Sequence, residues 1–452
     1  MRPRLAKILP PPRPSLAERT AQGKSLRARF PRKEQGLWEF DPRGDDFLDG
    51  LKSAVAGRRT DLLPIRWGRM VASPFGFLRG TAHLMAGDLG RRPAIPIEVQ
   101  VCGDAHLFNL GAYAAPDGHL VFDINDFDET CRGSFEWDLK RLVASCVVGG
   151  RSAGEKEGAC RTAVQRLARA YRESLAHFSG LRVLELARFE ITPRTSGRPL
   201  APIFRRAARN TPHELIRRST LREGSGFSRF KTDPPLMVPL KASEAKGVLL
   251  GLEAYRGTLG PARKQAFDAY APWDLAFRVV GTGSVGVEDY LVLLYGTNAD
   301  DPLFLQVKEA DASCWQPYTR EHRAALATHH GRRVAEGQQR TQTVVDPFLG
   351  FTAFGGKTFL VRQWSDHKAT ADVRLLAQGG AFLDYASLCG EVLAKAHART
   401  GDAAVLCGYC GRGEAFVLAL EHFAFAYADQ VEADHARFKK AVKKGIFRAE
   451  KA

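Results

Sequence analysis

The sequence predicts an α+β chain with two unequal lobes, a small antiparallel sheet lobe and a larger helical lobe. Three observations lead there. Apolar residues recur at helical spacing over Trp137–Ser145, Glu155–His177, Tyr385–Arg399 and Glu414–Lys440. Short apolar runs bounded by Gly, Pro, Asn and Asp gather instead between Trp273 and Trp364. Between Val101 and Glu129, two acidic clusters flank what reads as a hairpin. The expected organisation is a flexible, basic, Pro-containing arm over 1–40, a helical lobe over 41–270, a sheet lobe over 271–370, and C-terminal helices over 371–452 that return to the helical lobe.

In chain order, Asp46–Asp88 reads mainly as helix, and Ser73-Pro74 marks a helix start because Pro suits the first turn. Pro96–Val101 is a strand running into Gly103-Asp104. Leu110–Ala115, the turn Pro116-Asp117-Gly118 and His119–Asn125 form the hairpin. Residues 180–270 mix helices with basic loops such as Arg205–Arg222. Ala276–Val280, Tyr290–Tyr295, Leu303–Lys308 and Phe359–Trp364 are strands, with a long helix from about Tyr318 to Val344 between the last two.

Composition bounds the partners. With 452 residues, 44% of them hydrophobic and 26% charged, the chain can build two or three real cores. A formal net charge of +16 attracts nucleotides, nucleic acid, anionic membrane and acidic proteins alike. No recognised nucleic-acid module is present, and aromatics do not interleave with a basic run, which argues against nucleic acid. No apolar run has the length of a membrane span; Phe416–Ala428 is broken by Glu421 and His422. The eight cysteines are scattered, and Met1–Gln35 is basic and Pro-rich without an apolar signal core, so reduced thiols and a cytoplasmic location are expected. Cys407-Gly-Tyr-Cys410 lacks the paired histidines of a zinc site and reads as packing.

The acidic clusters carry the chemistry. Asp104 and Asn109 lie on one loop, and Asp126-Phe127-Asp128 ends the next strand. A carboxylate and a carboxamide beside further carboxylates suit Mg²⁺, which takes one or two carboxylates plus substrate phosphates. A further Asp near a substrate hydroxyl can act as base. Strand alternation puts Asp123 and Asp126 on opposite faces. Gly281-Thr282-Gly283-Ser284-Val285-Gly286 is a G-x-G-x-x-G turn followed by a strand. A dinucleotide fold would instead open a helix there. Strand–glycine loop–strand is the arrangement that covers ATP phosphates, with a lysine on the next strand. Lys308 fits that place. Its expected carboxylate partner on the following helix is Glu336, with Glu321 as runner-up.

These segments resemble the catalytic and metal-binding loops of kinase-like phosphotransferases, especially the aminoglycoside and choline kinase group. The resemblance implies that Asp104 is the catalytic Asp and that Asn109 and Asp126 bind metal. It also implies that Asp138 is the helical Asp bracing the catalytic loop. Gly281, Gly283, Ser284, Gly286, Lys308 and Glu336 would serve ATP. The whole chain also resembles a bacterial domain family of unknown function grouped with kinase-like folds, through Ser73-Pro74-Phe75, Gly103–Leu107, Asn125–Glu129, Gln306–Ala310 and Lys395–Arg399. The implied protein is an ATP- and Mg²⁺-dependent phosphotransferase acting on an unidentified small-molecule or protein hydroxyl. Transfer of AMP on the same fold, or a non-catalytic nucleotide-binding regulator, are the alternatives. In ordinary kinases the glycine loop and lysine precede the catalytic loop; here they follow it, which implies a circularly permuted, protein-kinase-like two-lobe fold. Two further departures stand out. Cys102-Gly103 occupies the place of a His or Arg. The Asn109–Asp126 separation is also long, which keeps Asp123 as the second choice of metal ligand, whereas the Asp126–Asp138 spacing favours Asp126.

Overall fold

The computed structural model describes residues 13–195, 200–222, 224, 226–279, 281–320, 329–364, 367–372, 375, 377 and 380–450. The fold is mixed α+β with small antiparallel sheets. Its first part contains α1 (Leu16–Ser25), α2 (Phe47–Ser53), α3 (Leu63–Val71), α4 (Pro74–Gly80) and α5 (Ala82–Gly90). Ser73 caps α4 by accepting from Gly76 N at 3.0 Å, with Pro74 in the first turn, as the sequence predicts. Then come β1 (Glu98–Val101), β2 (Leu110–Ala114), β3 (Leu120–Ile124), β4 (Cys131–Ser134), α6 (Phe135–Ser152) and α7 (Glu157–Gly180). The expected hairpin is β2–β3, in register Leu110↔Ile124, and Gly118 at φ 88° makes its turn. The strand β4 pairs with β1 antiparallel and was not expected; with Gly133 at its centre it has no alternating pattern to read.

A connecting region holds α8 (Val183–Ala187), α9 (Ala201–Arg209), α10 (Pro212–Ser219) and the small hairpin β5 (Thr220–Arg222)–β6 (Ser228–Phe230). The sheet unit follows: β7 (Met237–Pro239), α11 (Ala242–Arg256), α12 (Pro261–Phe267), β8 (Ala271–Arg278), β9 (Asp289–Tyr295), β10 (Pro302–Glu309), α13 (His330–Thr341), β11 (Gly350–Phe354) and β12 (Lys357–Gln363). The six strands lie in the order β11-β12-β10-β9-β8-β7, all antiparallel. One face and α11 enclose a core that includes Val248, Tyr255, Val292, Leu305 and Phe359. Thr352 Oγ1 donates to Gly251 O at 2.6 Å and Tyr255 Oη to Phe348 O at 2.6 Å, pinning α11 across β11. Residues 237–267 thus pack with the sheet, not with the helical lobe assigned from sequence. Their short strand and loops give no periodic signal. Of the helix expected from about Tyr318, residues 316–318 form a 3₁₀ turn and α13 begins at His330; residues 321–328, Glu321 among them, lie outside the described residues, as does Val280 at the end of an expected strand.

The chain closes with β13 (Ala369–Thr370), which pairs with β2, and with α14 (Gly380–Thr400), α15 (Ala403–Cys410) and α16 (Ala415–Lys443). Together with α6 and α7 these build the larger core, running from Phe47 to Phe447. Residues 13–40 of the expected flexible arm are docked. On α1, a Cβ at Gly23 would fall 1.9 Å from Val405 O, and one at Gly408 2.1 Å from Thr20 O, so only glycines allow this approach of α1 to α15. Arg27 Nε and Arg32 Nη1 donate to the C-terminal carbonyls Tyr409 O and Cys410 O of α15, each at 2.9 Å, where cations favour the helix dipole. All eight cysteines are free thiols. No single helix among the described residues is long and apolar enough to cross a membrane.

One buried ion pair ties the hairpin to α14. Lys395 Nζ meets Asp123 Oδ2, with side chains only 2% and 4% exposed. Lys395→Met should therefore leave an unpaired buried charge and destabilise the protein by about 3–5 kcal/mol. Urea denaturation should show the loss, and Asp123→Asn/Lys395→Met should recover much of it. A single variant as stable as the wild type would mean the pair holds nothing.

Candidate functional site

The loop after β1 is built from its backbone outward. Cys102 N and Gly103 N donate to the two carboxylate oxygens of Asp138 at 2.7 and 2.9 Å. Asp138 sits in the first turn of α6, so it braces the loop from a rigid element. Gly103 has φ 81°, and a Cβ there would fall 2.1 Å from Glu129 O; this lets the loop lie directly against the acidic segment. Trp315 stacks on Trp137 at 4.6 Å and donates its Nε1–H to Gly103 O at 2.6 Å. Beneath, His397 on α14 places Nε2 3.5 Å from Asp138, while its Nδ1 meets Tyr171 Oη at 2.7 Å.

The loop opens on a cavity of about 310 Å³. One wall is Asp104, Asn109, Asp126, Asp128 and Glu129. The glycine loop supplies Gly281, Gly283 and Ser284. A third wall carries Arg58, from the connection between α2 and α3, and Arg66, Arg79 and His83, from the N-terminal helices. Asp104, Asn109, Asp126 and the glycine loop, all expected from sequence, therefore meet in one place. Ser284 Oγ lies 3.5 Å from Asp128 Oδ2, although the two residues are 156 apart in the chain.

The carboxylates are held in different states. Burial pushes Asp104 up to about 6, partly offset by Arg141, whose Nε donates to Asp104 Oδ1 at 2.5 Å. For Asp126, burial works against the charge, but Lys308 and Arg362 outweigh it and keep the group below the usual carboxylate range. Lys308 is buried too. Burial opposes its ammonium, yet Asp128 and Asp126 hold its pKa above the usual value. His106 Nδ1 accepts from Phe108 N at 3.2 Å, which leaves Nε2 as the protonated nitrogen, 3.8 Å from Asp104. Burial and the neighbours Arg79 and Arg141 keep that ring neutral.

Two expectations are corrected. Lys308 ion-pairs with Asp128, not with Glu336. Glu336 bonds Arg332 at 2.6 Å and Arg340 at 3.4 Å, its neighbours one turn either way along α13. The side of α13 that faces the site offers Arg333 instead, which grips the acidic segment by donating to Thr130 O at 2.5 Å and Asp128 O at 2.8 Å. Asp123, the second choice of metal ligand, is spent on Lys395 and does not line the cavity. The glycine loop runs between β8 and β9 as expected, with Gly281 at φ 71° and Gly286 at φ 93°. Its carbonyls are taken by arginines: Arg66 Nη1 donates to Thr282 O at 2.8 Å, Arg58 Nη1 to Val285 O at 3.1 Å, and Arg69 to Gly281 O.

Among the described residues, no cluster of three or more His, Cys, Asp or Glu side chains has the arrangement of a metal cage. The donor set nonetheless fits Mg²⁺, which needs few protein oxygens. Asn109 commits its Nδ2 to Asp104 O at 2.7 Å, so the ligand it can offer is its amide oxygen. Asp126 adds a carboxylate. Sequence reasoning missed Arg58, Arg66, Arg79, His83, Arg141 and Arg333. The one signal within reach was Lys140-Arg141 within a charged run, Glu136 to Arg141, that opens a helix largely apolar from there to Gly150.

A model of a family described as an uncharacterized protein conserved in bacteria, DUF2252, matches residues 58–441. The chain belongs to the DUF2252 family. No curated protein and no solved structure matches it. The DUF2252 match begins at Arg58 and takes in every cavity residue named above, while α1 lies outside it.

Asp138→Ala should strip both loop amides of their acceptor and destabilise the protein by about 1–3 kcal/mol for each buried group left unpaired. Equilibrium urea unfolding measures this. An unchanged midpoint would mean that the Trp315 and His397 contacts carry the loop without Asp138.

Proposed function

We propose that this DUF2252 protein is an ATP- and Mg²⁺-dependent phosphotransferase of circularly permuted, kinase-like fold, acting on a hydroxyl acceptor. The observation that carries the reading is the convergence of the glycine loop with Asp104, Asn109 and Asp126 on one cavity, and the pairing of Lys308 with Asp128 across 180 residues of chain. The sheet topology supports it: β8, β9 and β10 form a meander with the glycine loop at its first turn and Lys308 on its third strand, and α13 precedes the hairpin β11–β12. The permutation is supported by α14. Near the chain's end it sets Lys395 and His397 under the hairpin and α6, where an unpermuted chain would lead into its catalytic loop.

In this reading the glycine loop covers the nucleotide phosphates, and Lys308 shares its charge between Asp128 and those phosphates. Asp126 and the Asn109 amide oxygen would hold the cation, whose charge would offset that developing on the phosphates. Asp104 faces the acceptor. The acceptor oxygen forms its bond to the γ-phosphorus as the bond from that phosphorus to the bridging oxygen breaks. The acceptor's proton passes to Asp104, whose elevated pKa makes it a better base than an exposed carboxylate.

Incubation with γ-labelled and α-labelled ATP and a panel of hydroxyl acceptors tests the reading. Transfer of the γ label supports it, transfer of the α label replaces it with AMP transfer, and no calorimetric binding of Mg-ATP ends it. Lys308→Ala should weaken Mg-ATP binding by about 1.5–3 kcal/mol. Asp104→Asn should keep binding and lose turnover, whereas Asp126→Asn should lose turnover and the Mg²⁺ dependence of binding. Asp123→Asn should leave that dependence intact.

Turnover should also depend on pH in a stated direction. Asp104 must be unprotonated to accept a proton, so the rate should rise with pH through about 6. Arg141→Gln removes the charge that favours the carboxylate, so that limb should move to higher pH. A limb that stays put in Arg141→Gln would assign it to another group.

A further inference from the structure

The acidic wall of the cavity uses few of the cations around it. Asp104 takes Arg141, Asp128 takes Lys308, and Glu129 accepts from Cys314 N at 2.7 Å. Arg79 is left over. It projects from the last turn of α4, lies largely buried on the cavity wall, and has its guanidinium 5.6 Å from the Phe108 ring centre. Its charge is felt by both Asp104 and Asp126, and its backbone oxygen lies 3.4 Å from where a Cβ on Gly283 would stand. It therefore sits under the glycine loop, beside both the proposed base and the proposed metal ligand. Four buried nitrogens at this place have no hydrogen-bond partner among the described residues: Arg66 Nε, Arg79 Nε, His83 Nε2 and Arg141 Nη1. Buried donors are rarely left unpaired, because each lost bond is costly.

We propose that Arg79, with Arg66 and His83, forms a subsite for a phosphoryl-type oxyanion between Asp104 and the glycine loop. The choice of phosphate as the anion rests on the phosphotransfer reading. The guanidinium fork pairs two donors with two oxygens of one phosphate, and the remaining donors suit its further oxygens. Two sources share this chemistry, the γ-phosphoryl of the nucleotide and a phosphate carried by the acceptor.

Calorimetric titration of the full chain with inorganic phosphate tests the subsite without turnover. The wild type should bind phosphate. Arg79→Gln should bind it at least tenfold more weakly, and Arg182→Gln, at an exposed arginine outside the cavity, should bind it as the wild type does. Arg79→Lys keeps the buried charge, and so the fold should Arg79→Gln lose it, but still weakens binding several-fold because the fork is gone. Phosphate displaced by Mg-ATP but not by Mg-ADP identifies the subsite with the γ-phosphoryl. Phosphate bound alongside Mg-ATP identifies it with an acceptor phosphate. No phosphate binding by the wild type, or a folded Arg79 variant that binds as tightly as the wild type, overturns the subsite. The two readings fail separately: Arg79-dependent phosphate binding without any Mg-ATP binding removes the phosphotransferase, and Lys308-dependent Mg-ATP binding without phosphate binding removes the subsite.

Discussion

Four carboxylates, Asp104, Asp126, Asp128 and Glu129, are gathered at the seam between the helical core and the sheet unit, and the rest of the fold must neutralise them. Charges withdrawn from water are tolerated only when paired and hydrogen-bonded. The partners come from both sides. Arg141 comes from α6, Lys308 from β10 and an amide from Cys314, while Arg333 on α13 lies near Glu129 and Asp128 and donates to the backbone carbonyl of Asp128. The sheet unit is thus held to the helical core by the electrostatics of the site itself. The same demand separates the carboxylates chemically. Asp126 lies among cations and stays ionised, while Asp104, more desolvated than compensated, is pushed up to about 6. Environments that push neighbouring carboxylates apart let one site keep an ionised group beside one that can take up a proton.

The helix α6 makes this possible. Nearly all of it is buried, and a helix buried all round is ordinarily apolar. This one carries Glu136, Asp138, Lys140 and Arg141. Glu136 accepts from Ile95 N at 2.9 Å and bonds Lys140 at 2.8 Å, which locks the rotation of the first turns. With that rotation fixed, Asp138 lies under the loop amides and Arg141 beside Asp104. Leaving any of these groups without a partner would be costly, so α6 is held to an arrangement that gives each of the four at least one.

What could be read from the sequence was local. The β2–β3 hairpin, the capped start of α4, the glycine loop and Lys308 all follow from turn chemistry and strand alternation over a few residues. Asp138 was legible only through the resemblance, which implied a helical Asp bracing the loop. The partner of Lys308 was not. Arg333 and Glu336 lie one turn apart on α13, and only the packing of that helix against β11 and β12 decides which faces the acidic segment. The docking of α1 was equally hidden, since it depends on Gly23 lying against Val405 and Gly408 against Thr20, residues far apart in the chain. Residues 237–267 join the sheet through a three-residue strand, too short for a period. Arg58 and Arg66 read simply as polar positions among the N-terminal helices, because what they bind is backbone carbonyl, which leaves no complementary residue type to find.

Those arginines bear on the glycine loop itself. A glycine-rich loop loses more freedom on ordering than any other segment of its length, so a loop left free would oppose ligand binding by that entropy. Here Arg58, Arg66 and Arg69 reach across from the N-terminal helices and hold its carbonyls at Gly281, Thr282 and Val285. In a trans peptide the carbonyl and the following N–H point to opposite sides. Fixing these carbonyls therefore fixes where the amides of Thr282, Gly283 and Gly286 point, away from the arginine that holds each one. If the loop receives a nucleotide as proposed, this ordering would precede the ligand and would raise affinity without adding a contact. In the permuted reading proposed above, it would also account for a glycine loop that follows the Asp104 loop in the chain. The clamp belongs to elements that fold with the N-terminal helices, so the loop's geometry depends on the seam between the two units and not on the order in which the chain visits them.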